Sequence, residues 1–503
     1  MRLPRASGVL LHPVSLPGEF GIGELGDEAT EFIEFLAASG QHLWQVLPLG
    51  PTGYGESPYQ GLSSFAGNTL LISPRRLVSM GLLSDADLAA HETFPAERVA
   101  YESVKKFKAT LLHKAYENFA RTGDAQLLMS FQEFCGRAAL WLEDYALYRA
   151  LKNAHGEQSW YDWEPELALR EPQALERARA ELREEINAQK FYQYLFFRQW
   201  HAVRALCRER GIKIIGDLPI FVAHDSADVW ANPQLFKLDE ARRPVVVAGV
   251  PPDYFSRTGQ LWGNPIYDWE RLRAEGFRWW IERIRAMFEL YDIVRLDHFR
   301  GFAAAWEVPS GAPTAEHGQW VHAPGRELFN ALRQALGELP LIAEDLGVIT
   351  PDVEALRDDF GFQGMRILQF AFGSDTQNPH LPHRYVNNAV VYTGTHDNDT
   401  TRAWFKELTK NKEDYAQRTR DYCLRYLGTK GREIHWDMIR AALSSVADTA
   451  ITPLQDILGL GAEARMNLPS TKGDNWNWRF REGLLTAQLS ERLRELTETY
   501  GRT

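Results

Sequence analysis

The sequence predicts an α/β protein built on a closed (β/α)8 barrel, or TIM barrel, with mostly helical subdomains inserted between barrel strands. Two observations favour this fold. Short β-rich runs alternate with helical segments along the chain, which is typical of βα units that build a parallel sheet. Eight such runs can be found, and eight strands are the number that closes this barrel.

The predicted strands follow one another from the N-terminal to the C-terminal part of the chain. They are Gly8–His12, His42–Leu47, Lys213–Leu218, Asp292–Asp297, Leu341–Asp345, Met365–Gln369, Ala389–Thr393 and Ala450–Leu454. An open, doubly wound sheet is the structural alternative. Its usual mark is a phosphate-binding glycine turn directly after the first strand.

Such a turn is suggested by Gly21–Gly26, which reads G-I-G-E-L-G and precedes a predicted helix over Glu28–Ala38. The glycines lie well past the first strand, and the second strand has no acidic residue at its tip to hold a ribose hydroxyl. We therefore interpret the segment as a glycine-rich loop before a helix. No dinucleotide or other cofactor is expected.

The long stretch between the second and third strands is the main candidate insertion. Residues 74–210 are too many for one crossover helix, and their composition is helical, including Leu175–Glu185. A second, loop-rich insertion is expected at residues 225–290. Because no fixed-period repeat or flexible linker divides the chain, residues 1–503 are expected to form a single (β/α)8 barrel that carries these insertions.

Composition limits the classes of partner. Of the 503 residues, 45% are hydrophobic and 24% charged, which is ordinary for a globular protein in water. The net charge of −11 repels phosphate backbones, so nucleic acid is not an expected partner.

Cysteine usage and hydropathy indicate the compartment. The three cysteines, Cys135, Cys207 and Cys423, are widely separated, so neither a disulfide framework nor a cysteine metal site is expected. The apolar run Gly8–Leu11 is too short for a signal peptide, and no later stretch approaches a membrane span. The sequence predicts a cytoplasmic protein without a membrane partner.

Three of the aliphatic runs lead into carboxylates, namely Asp297, Glu344 and Asp397. When parallel strands bring carboxylates to the same end of a barrel, catalysis becomes the leading interpretation. For any one of them a structural ion pair, or the start of a polar loop, is the ordinary alternative.

The neighbours of these carboxylates suggest different roles. Side chains alternate along a strand, so Arg295 shares a face with Asp297 and would hold that carboxylate ionised, as a nucleophile requires. Glu344 would face the like charges of Asp297 and Asp397, so its pKa should rise toward that of a general acid.

A metal site is the alternative interpretation of the segment around Asp397, because Asp397–Asp399 resembles the start of a calcium loop. Thr401 and Arg402 stand where that loop needs other residues, so no metal is expected. The pair His396 and Asp397 instead suits hydrogen bonds to adjacent hydroxyls, as on a sugar ring.

A carboxylate nucleophile with a carboxyl proton donor describes a retaining enzyme of glycosidic bonds, in which the two groups lie ~5–5.5 Å apart. Aromatic residues in loop-like contexts strengthen this interpretation, because their faces can cover the apolar faces of sugars. Core packing is an equal alternative for each single aromatic residue. The examples are Tyr54, Tyr59, Tyr254, Phe255 and Trp262.

Together these residues resemble the 4-alpha-glucanotransferases of the amylomaltase, or disproportionating-enzyme, type in the alpha-amylase superfamily. The matching segments span almost the whole chain in the expected order. They are Ser57–Tyr59, Phe65–Asn68, Gly216–Pro219, Gly249–Phe255, Gly259–Pro265, Arg295–Gly301, Ala343–Gly347, Gly394–Asn398 and Arg465–Pro469.

The resemblance implies a role for each site residue. It implies Asp297 as nucleophile, Glu344 as general acid and base, and Asp397 as the carboxylate that stabilises the transition state. Residues that would shape the site or bind the glucan are Asp217, Arg295, His298, His396, Ser57, Tyr59, Trp262, Asn467 and Pro469. Tyr254 and Phe255 would lie on a loop that covers the glucan, and Tyr54 and Tyr101 would form a remote glucan-binding surface.

The implied activity is transfer of a segment of an alpha-1,4-glucan to the 4-hydroxyl of another glucan or of glucose. The implied mechanism is a retaining double displacement, which also permits intramolecular cyclisation. Alpha-1,4-glucans and maltooligosaccharides are the expected substrates. An alpha-1,4-glucan hydrolase of the same superfamily and a non-catalytic glucan-binding protein are the alternatives.

Overall fold

A computed structural model describes residues 4–89, 93–252, 256–471 and 473–503. Tyr254 and Phe255, both predicted to bind glucan, lie outside these described residues. Twelve strands occur in the described part of the chain. They are β1 Ala6–Leu10, β2 Leu43–Gln45, β3 Lys213–Pro219, β4 Val246–Val250, β5 Gln260–Pro265, β6 Ile293–Asp297, β7 Ala304–Pro309, β8 Gln319–His322, β9 Leu341–Ala343, β10 Gln363–Ile367, β11 Ala389–Tyr392 and β12 Thr449–Pro453.

Eight of these strands form a closed parallel barrel in the order β1-β12-β11-β10-β9-β6-β3-β2. The barrel closes where Ala6 of β1 pairs with Thr449 of β12. Each barrel strand falls on one of the predicted runs, so the predicted fold class is confirmed. The first strand begins earlier and ends earlier than predicted, because pairing with β12 rather than apolar composition sets its limits.

Helices surround the barrel and fill the long connections. The described residues form α1 Asp27–Ala38, α2 Pro74–Ser79, α3 Asp85–Leu88, α4 Tyr101–Thr122, α5 Ala125–Arg137, α6 Ala139–Ala154, α7 Pro165–Ala168, α8 Pro172–Glu181, α9 Arg183–Glu209, α10 Ala227–Ala231, α11 Trp269–Ala274, α12 Arg278–Leu290, α13 Gly325–Leu336, α14 Pro351–Phe360, α15 Thr401–Lys410, α16 Asp414–Leu427, α17 Ile434–Ser444, α18 Leu454–Ile457 and α19 Ala487–Thr499.

The connection between β2 and β3 is helical, from α2 to α9. Aromatic side chains hold it together, as where Phe119 of α4 stacks on Phe191 of α9 with ring centroids 4.2 Å apart. The helix expected over Leu175–Glu185 is interrupted, because α8 ends at Glu181 and α9 begins at Arg183. The division of the chain into a barrel with insertions at residues 74–210 and 225–290 stays a prediction.

A second sheet, which the sequence did not predict, packs beside the barrel mouth. It is antiparallel, with the order β5-β4-β7-β8. Asn264 of β5 ties it to the barrel rim by donating a hydrogen bond from Nδ2 to the carbonyl of Val222 (2.9 Å). The glycines in β4 and β5 weaken the β-rich pattern on which the strand prediction relied.

Polar side chains occupy the inside of the barrel near the site. Tyr392 of β11 donates a hydrogen bond across the barrel to Gln45 of β2 (2.8 Å), and the sulfur of Met365 lies 3.4 Å from Nε of Arg295. These contacts link polar side chains of different strands inside the barrel.

In the described ranges, no helix combines the length and the apolar composition that a membrane crossing requires. Cys135, Cys207 and Cys423 are all free thiols.

Candidate active site

The centre of the candidate site is a guanidinium held between two carboxylates. Adjacent barrel strands place Arg295 of β6 opposite Asp217 of β3. Nη1 of Arg295 lies 2.7 Å from both carboxylate oxygens of Asp217, and Nη2 lies 2.9 Å from Oδ1 of Asp297. Arg295 and Asp217 are buried, whereas the Asp297 side chain is 30% exposed and faces the barrel mouth.

Burial and neighbouring charges shift the pKa of Arg295 in opposite directions. Burial disfavours the charge of Arg295, but Asp217 and then Asp297 raise the pKa of its guanidinium well above the ordinary value. Arg295 therefore stays charged and fixes the orientation of Asp297.

Glu344 follows β9, on the strand that neighbours β6. Its Oε2 accepts a hydrogen bond from the backbone N–H of His298 (2.8 Å), and its Oε1 accepts one from Leu346 (3.1 Å). His298 reaches this position in the left-handed backbone region, with φ of 50°, directly after the end of β6. Two backbone donors thus fix the carboxyl group beside Asp297.

The pKa of Glu344 is raised well above the ordinary value of 4.5 by burial first and by the charge of Asp297 second. Arg295 and the His298 N–H oppose this rise. The predicted direction is confirmed, but the prediction gave like charge as the cause, and burial contributes more.

The imidazole of His298 is enclosed in the wall of the site. Its ring meets the edge of Trp262 at a centroid distance of 4.7 Å. Burial lowers its pKa to about 4, so the ring is neutral near pH 7. Among the described residues, its Nε2 has no hydrogen-bond partner.

Asp397 lies in the segment after β11 and is held from a second segment of the chain. Asn467 donates a hydrogen bond from Nδ2 to Oδ1 of Asp397 (2.6 Å), and Arg465 donates one to the Asp397 carbonyl (2.8 Å). Nε2 of His396 lies 3.4 Å from Oδ2 of Asp397. The Asp397 side chain remains 47% exposed, so its carboxylate is open to a ligand.

Tyr59 connects the two halves of the site. Its hydroxyl donates to Oδ2 of Asp217 (2.8 Å), and its ring stacks on His396 with centroids 5.1 Å apart. Trp476 packs on both rings, at 5.7 Å from Tyr59 and 5.8 Å from His396.

The remaining predicted binding residues lie at different distances from this centre. Ser57 accepts a hydrogen bond at Oγ from the backbone N–H of Tyr59 (3.2 Å), so it belongs to the same turn. Pro469 is exposed near Asn467. Tyr54 is 72% exposed, whereas Tyr101 is partly buried and donates its hydroxyl to the Trp476 carbonyl (2.7 Å).

Three residues at the site were missed by the sequence reasoning: His12, Arg465 and Trp476. His12 follows β1, is buried, and lines a cavity of about 30 Å³ together with His396. Burial, and secondarily His396, lowers the pKa of His12 to about 3. A search for any polar residue at a strand end would have found His12, but nothing singles out Trp476 among 16 tryptophans.

The described ranges contain no candidate metal site. No three His, Cys, Asp or Glu side chains are placed there so as to hold a metal ion.

Two neighbouring strands of this parallel barrel carry the two carboxyl groups: Asp297, which Arg295 orients, and Glu344, whose pKa is raised. Enzymes that act on glycosidic bonds have this arrangement. The chain belongs to the 4-alpha-glucanotransferase family, glycoside hydrolase family 77, whose model matches residues 11–486. This agrees with the predicted glycosyl-transferring class, and the hydrolase alternative is not favoured.

Individual relatives match over nearly their full length. The chain is 54% identical over 502 residues to the 4-alpha-glucanotransferase of Synechocystis sp., covering 99% of this chain and 98% of the relative. It is 50% identical over 506 residues to that of Thermus thermophilus, covering 99% of each. The solved structure of the amylomaltase from Streptococcus agalactiae in complex with acarbose matches with a TM-score of 0.94 at 40% identity, covering 99% of each chain.

Proposed function

We propose that the chain transfers a segment of an alpha-1,4-glucan to the 4-hydroxyl of another glucan or of glucose by a retaining double displacement. The observation that carries this mechanism is the contact of Arg295 with Asp297 beside Glu344, whose pKa is raised. The contact suits a carboxylate that attacks, and the raised pKa suits a carboxyl that gives up a proton.

In the first displacement, Asp297 attacks the anomeric carbon of the donor glucan. The bond from that carbon to the glycosidic oxygen breaks, and Glu344 protonates the departing oxygen. The product of this step is an ester between the glycosyl group and Asp297, which leaves Arg295 paired mainly with Asp217.

In the second displacement, the acceptor sugar takes the place of the departed chain. Glu344, now ionised, removes the proton from the acceptor 4-hydroxyl as its oxygen attacks the anomeric carbon. The ester bond breaks, and Asp297 and Glu344 return to their starting states. Two inversions at one carbon give net retention.

We propose that Asp397, His298 and His396 stabilise the oxocarbenium-like transition state. Asp397 is exposed and oriented by Asn467, so it can accept hydrogen bonds from adjacent ring hydroxyls. The neutral His298 has an unpaired ring nitrogen, which suits a further sugar hydroxyl. His396 is held by stacking on Tyr59.

The same assignment extends to the glucan groove. Tyr59 and Trp262 are assigned as aromatic surfaces of this groove, and Ser57, Asn467 and Pro469 as further binding residues. We retain Tyr254 and Phe255 as loop residues over the glucan, and Tyr54 with Tyr101 as a remote glucan-binding surface. These roles rest on the sequence resemblance.

Glucose as acceptor, and cyclisation of a long donor, follow from the same chemistry, because each presents a free 4-hydroxyl. We also propose a cytoplasmic location. Its support is the three free thiols in a chain without a disulfide.

Incubation with maltotriose tests transfer against hydrolysis. Transfer yields a ladder of longer glucans plus glucose, with little gain in reducing ends, because each bond broken is replaced by a bond formed. Chromatography of the products and a reducing-end assay measure both quantities. A steady rise in reducing ends without longer products would contradict transfer.

Asp297→Asn tests the nucleophile separately. We expect turnover of maltotriose to fall by at least about 10⁴-fold, while maltooligosaccharide binding and thermal stability stay close to those of the parent. Asp421→Asn, which alters an exposed carboxylate of α16, is the matched control and should leave turnover unchanged. Near-normal turnover in Asp297→Asn would remove the assignment.

A further inference from the structure

A further cavity lies outside the candidate active site, between helices α6, α10 and α12. Its volume is about 270 Å³, against about 30 and 50 Å³ for the cavities beside His396 and beneath Tyr59. This volume lies just below the usual range of small-molecule pockets, which begins at about 300 Å³.

We propose that this cavity is a non-catalytic binding site for a short, uncharged saccharide of one or two sugar rings. The site is separate from the proposed catalytic centre, because it contains none of the three carboxylates Asp297, Glu344 and Asp397.

Three aromatic rings from separate parts of the chain form the apolar wall. Phe65 lies nearly parallel to Trp141 of α6, with centroids 6.4 Å apart and planes 14° apart. Phe65 also meets Trp279 of α12 edge to face at 6.2 Å. Flat aromatic surfaces of this kind can pack against the C–H faces of a sugar ring.

Polar groups of the same lining supply donors and acceptors. Asn232 donates its Nδ2 hydrogen to the carbonyl of Asp228 (3.2 Å), which leaves its amide oxygen as an acceptor. Trp279 is buried, with 9% exposure, and within the described part of the chain its indole N–H has no acceptor. Because that N–H is enclosed by protein atoms, hydrogen bonds to a ligand would come from Asn232 and from the carboxylates of the lining.

The charges favour an uncharged ligand. Arginines outside the cavity already pair with its carboxylates: Arg170 lies 2.6 Å from Asp144, Arg271 lies 2.9 Å from Glu275, and Arg285 pairs with Glu282. Cationic ligands would therefore compete with existing ion pairs.

An anionic ligand is disfavoured by the lining itself. Four carboxylates, those of Asp144, Asp228, Glu275 and Glu282, face it with a single arginine, Arg278. The lining offers a phosphate group one cationic side chain, that of Arg278, whereas hydroxyl groups can donate hydrogen bonds to the carboxylates without a charge penalty.

The cavity shares a wall with the region beneath the candidate active site. Ser63 and Phe65 line both this cavity and the smaller one that reaches Tyr59 and Asp217. The backbone N–H of Ser64 donates to Oδ2 of Asp228 (2.7 Å), which fixes the shared wall to α10. A sugar packed on Phe65 would therefore restrict the same segment that carries Tyr59.

Maltose binding to the turnover-blocked variant Asp297→Asn tests the proposal by isothermal titration calorimetry at millimolar ligand. Trp141→Ala and Asn232→Ala are then each added to that variant. We expect each of these two substitutions to weaken maltose binding at the cavity by about tenfold or more. The affinity of the other maltose sites should stay unchanged. Trp141→Phe, which keeps a ring, should retain the binding.

Tyr415→Ala is the matched control, because it removes an exposed aromatic residue of α16 that does not line this cavity and should leave maltose binding at the cavity intact. An equal number of maltose sites in the parent and in both cavity variants would overturn the proposal. So would loss of every site at unchanged thermal stability. If Trp141→Ala fails to fold, Asn232→Ala decides alone.

A parallel titration with adenosine checks the ligand class, since aromatic walls also suit a nucleobase. Adenosine binding that is lost in Trp141→Ala, without any maltose binding at the cavity, would overturn the saccharide assignment. The maltotriose product ladder does not depend on this cavity, so failure of this proposal and failure of the proposed function are distinguishable.

Discussion

At the scale of single residues, Asp217 and Asp297 depend on the same guanidinium. Arg295 is 5% exposed, and its donors are divided between the two carboxylates. Asp217 also accepts the hydroxyl hydrogen of Tyr59. The orientation of Asp297, the proposed nucleophile, therefore depends through Arg295 on Asp217, which need not touch the substrate itself.

Asp217→Asn should lower both stability and turnover. Removing one partner of a buried ion pair typically costs about 3–5 kcal/mol, because the remaining charge loses its compensation. We expect kcat/KM on maltotriose to fall by about 10²-fold as Arg295 and Tyr59 reorient. Urea denaturation and initial rates measure the two effects.

Asp225→Asn provides the comparison, because Asp225 pairs with the buried Lys152 (2.7 Å) outside the candidate active site. Stability should fall in this variant as well, but kcat/KM should not. Equal losses of activity in both variants would show that general destabilisation, rather than the Arg295 contact, is responsible.

The pKa of Glu344 gives a pH dependence of definite sign. The folded chain holds this proton to a higher pH than the unfolded chain, whose carboxyl titrates near 4.5. The stabilising contribution is therefore fully present below about pH 4.5 and is lost as the pH rises through the raised folded pKa. Glu344→Gln cannot ionise and should lose less unfolding free energy between about pH 5 and 8.

Urea denaturation of the parent and of Glu344→Gln across this range measures the difference. Glu354→Gln, at an exposed position of α14, should follow the parent. Parallel curves for the parent and Glu344→Gln would contradict a raised pKa. In the parent, kcat/KM should fall on the alkaline side as Glu344 loses the proton that it donates.

At the scale of elements, the connection from β11 to α15 carries Asp397 and is anchored by one buried carboxylate. Asp456 of α18 accepts hydrogen bonds from the hydroxyls of Thr393 and Thr401, both at 2.6 Å, and from the backbone N–H of Thr401 at 2.7 Å. These bonds fix both ends of the segment that presents Asp397.

Asp456→Asn should loosen this segment. An amide has one acceptor oxygen where the carboxylate has two, so it cannot accept all three hydrogen bonds. We expect a loss of about 2–3 kcal/mol in unfolding free energy and a lower kcat/KM. Thr401→Val, which removes one of these bonds, should cost about 1 kcal/mol. An Asp456→Asn variant no less stable than Thr401→Val would contradict the anchoring role.

The elements differ in how well the sequence predicts them. The barrel strands were recognisable because they are mostly buried aliphatic runs, such as Leu341–Ala343. The antiparallel sheet was not, since Val246–Val250 and Gln260–Pro265 contain glycine and are stabilised by pairing with distant strands. The break between α8 and α9 was also invisible, because Leu182 is an ordinary helix former.

At the scale of the whole molecule, the seam between β1 and β12 is closed by an arginine from near the end of the chain. Arg502 is fully buried and donates to the carbonyls of Ala6 (3.1 Å), Leu443 (2.7 Å), Ala447 (2.9 Å) and Asp448 (3.1 Å). The first and last strands of the barrel are thereby joined through one side chain.

Arg502→Met should destabilise the barrel without changing the site. Several buried carbonyls lose their donor, so we expect a loss of about 3–5 kcal/mol in unfolding free energy. Turnover of maltotriose at 25 °C should stay close to the parent value. Differential scanning calorimetry and initial rates measure the two quantities.

Arg494→Met is the control, because Arg494 forms an exposed pair with Glu498 and should change stability by less than about 1 kcal/mol. Equal stability of the two variants would mean that Arg502 does not hold the seam.

The sequence by itself determined the barrel and the three carboxylates. Buried parallel strands must be aliphatic, and a charged residue at the end of such a strand stands out against them. The nine matching segments added the family, because each combines residue types in a fixed local order. All of this information is local, so it is readable along the chain.

Only the tertiary structure decided which groups share a site. Pairing of β3 with β6 brings Asp217 to Arg295, and packing of separate segments brings Trp476 to Tyr59 and His396. The burial that raises the pKa of Glu344 is likewise a property of the folded chain. Such contacts join residues far apart in sequence, and their energies depend on distance and solvent exclusion, which no local pattern records.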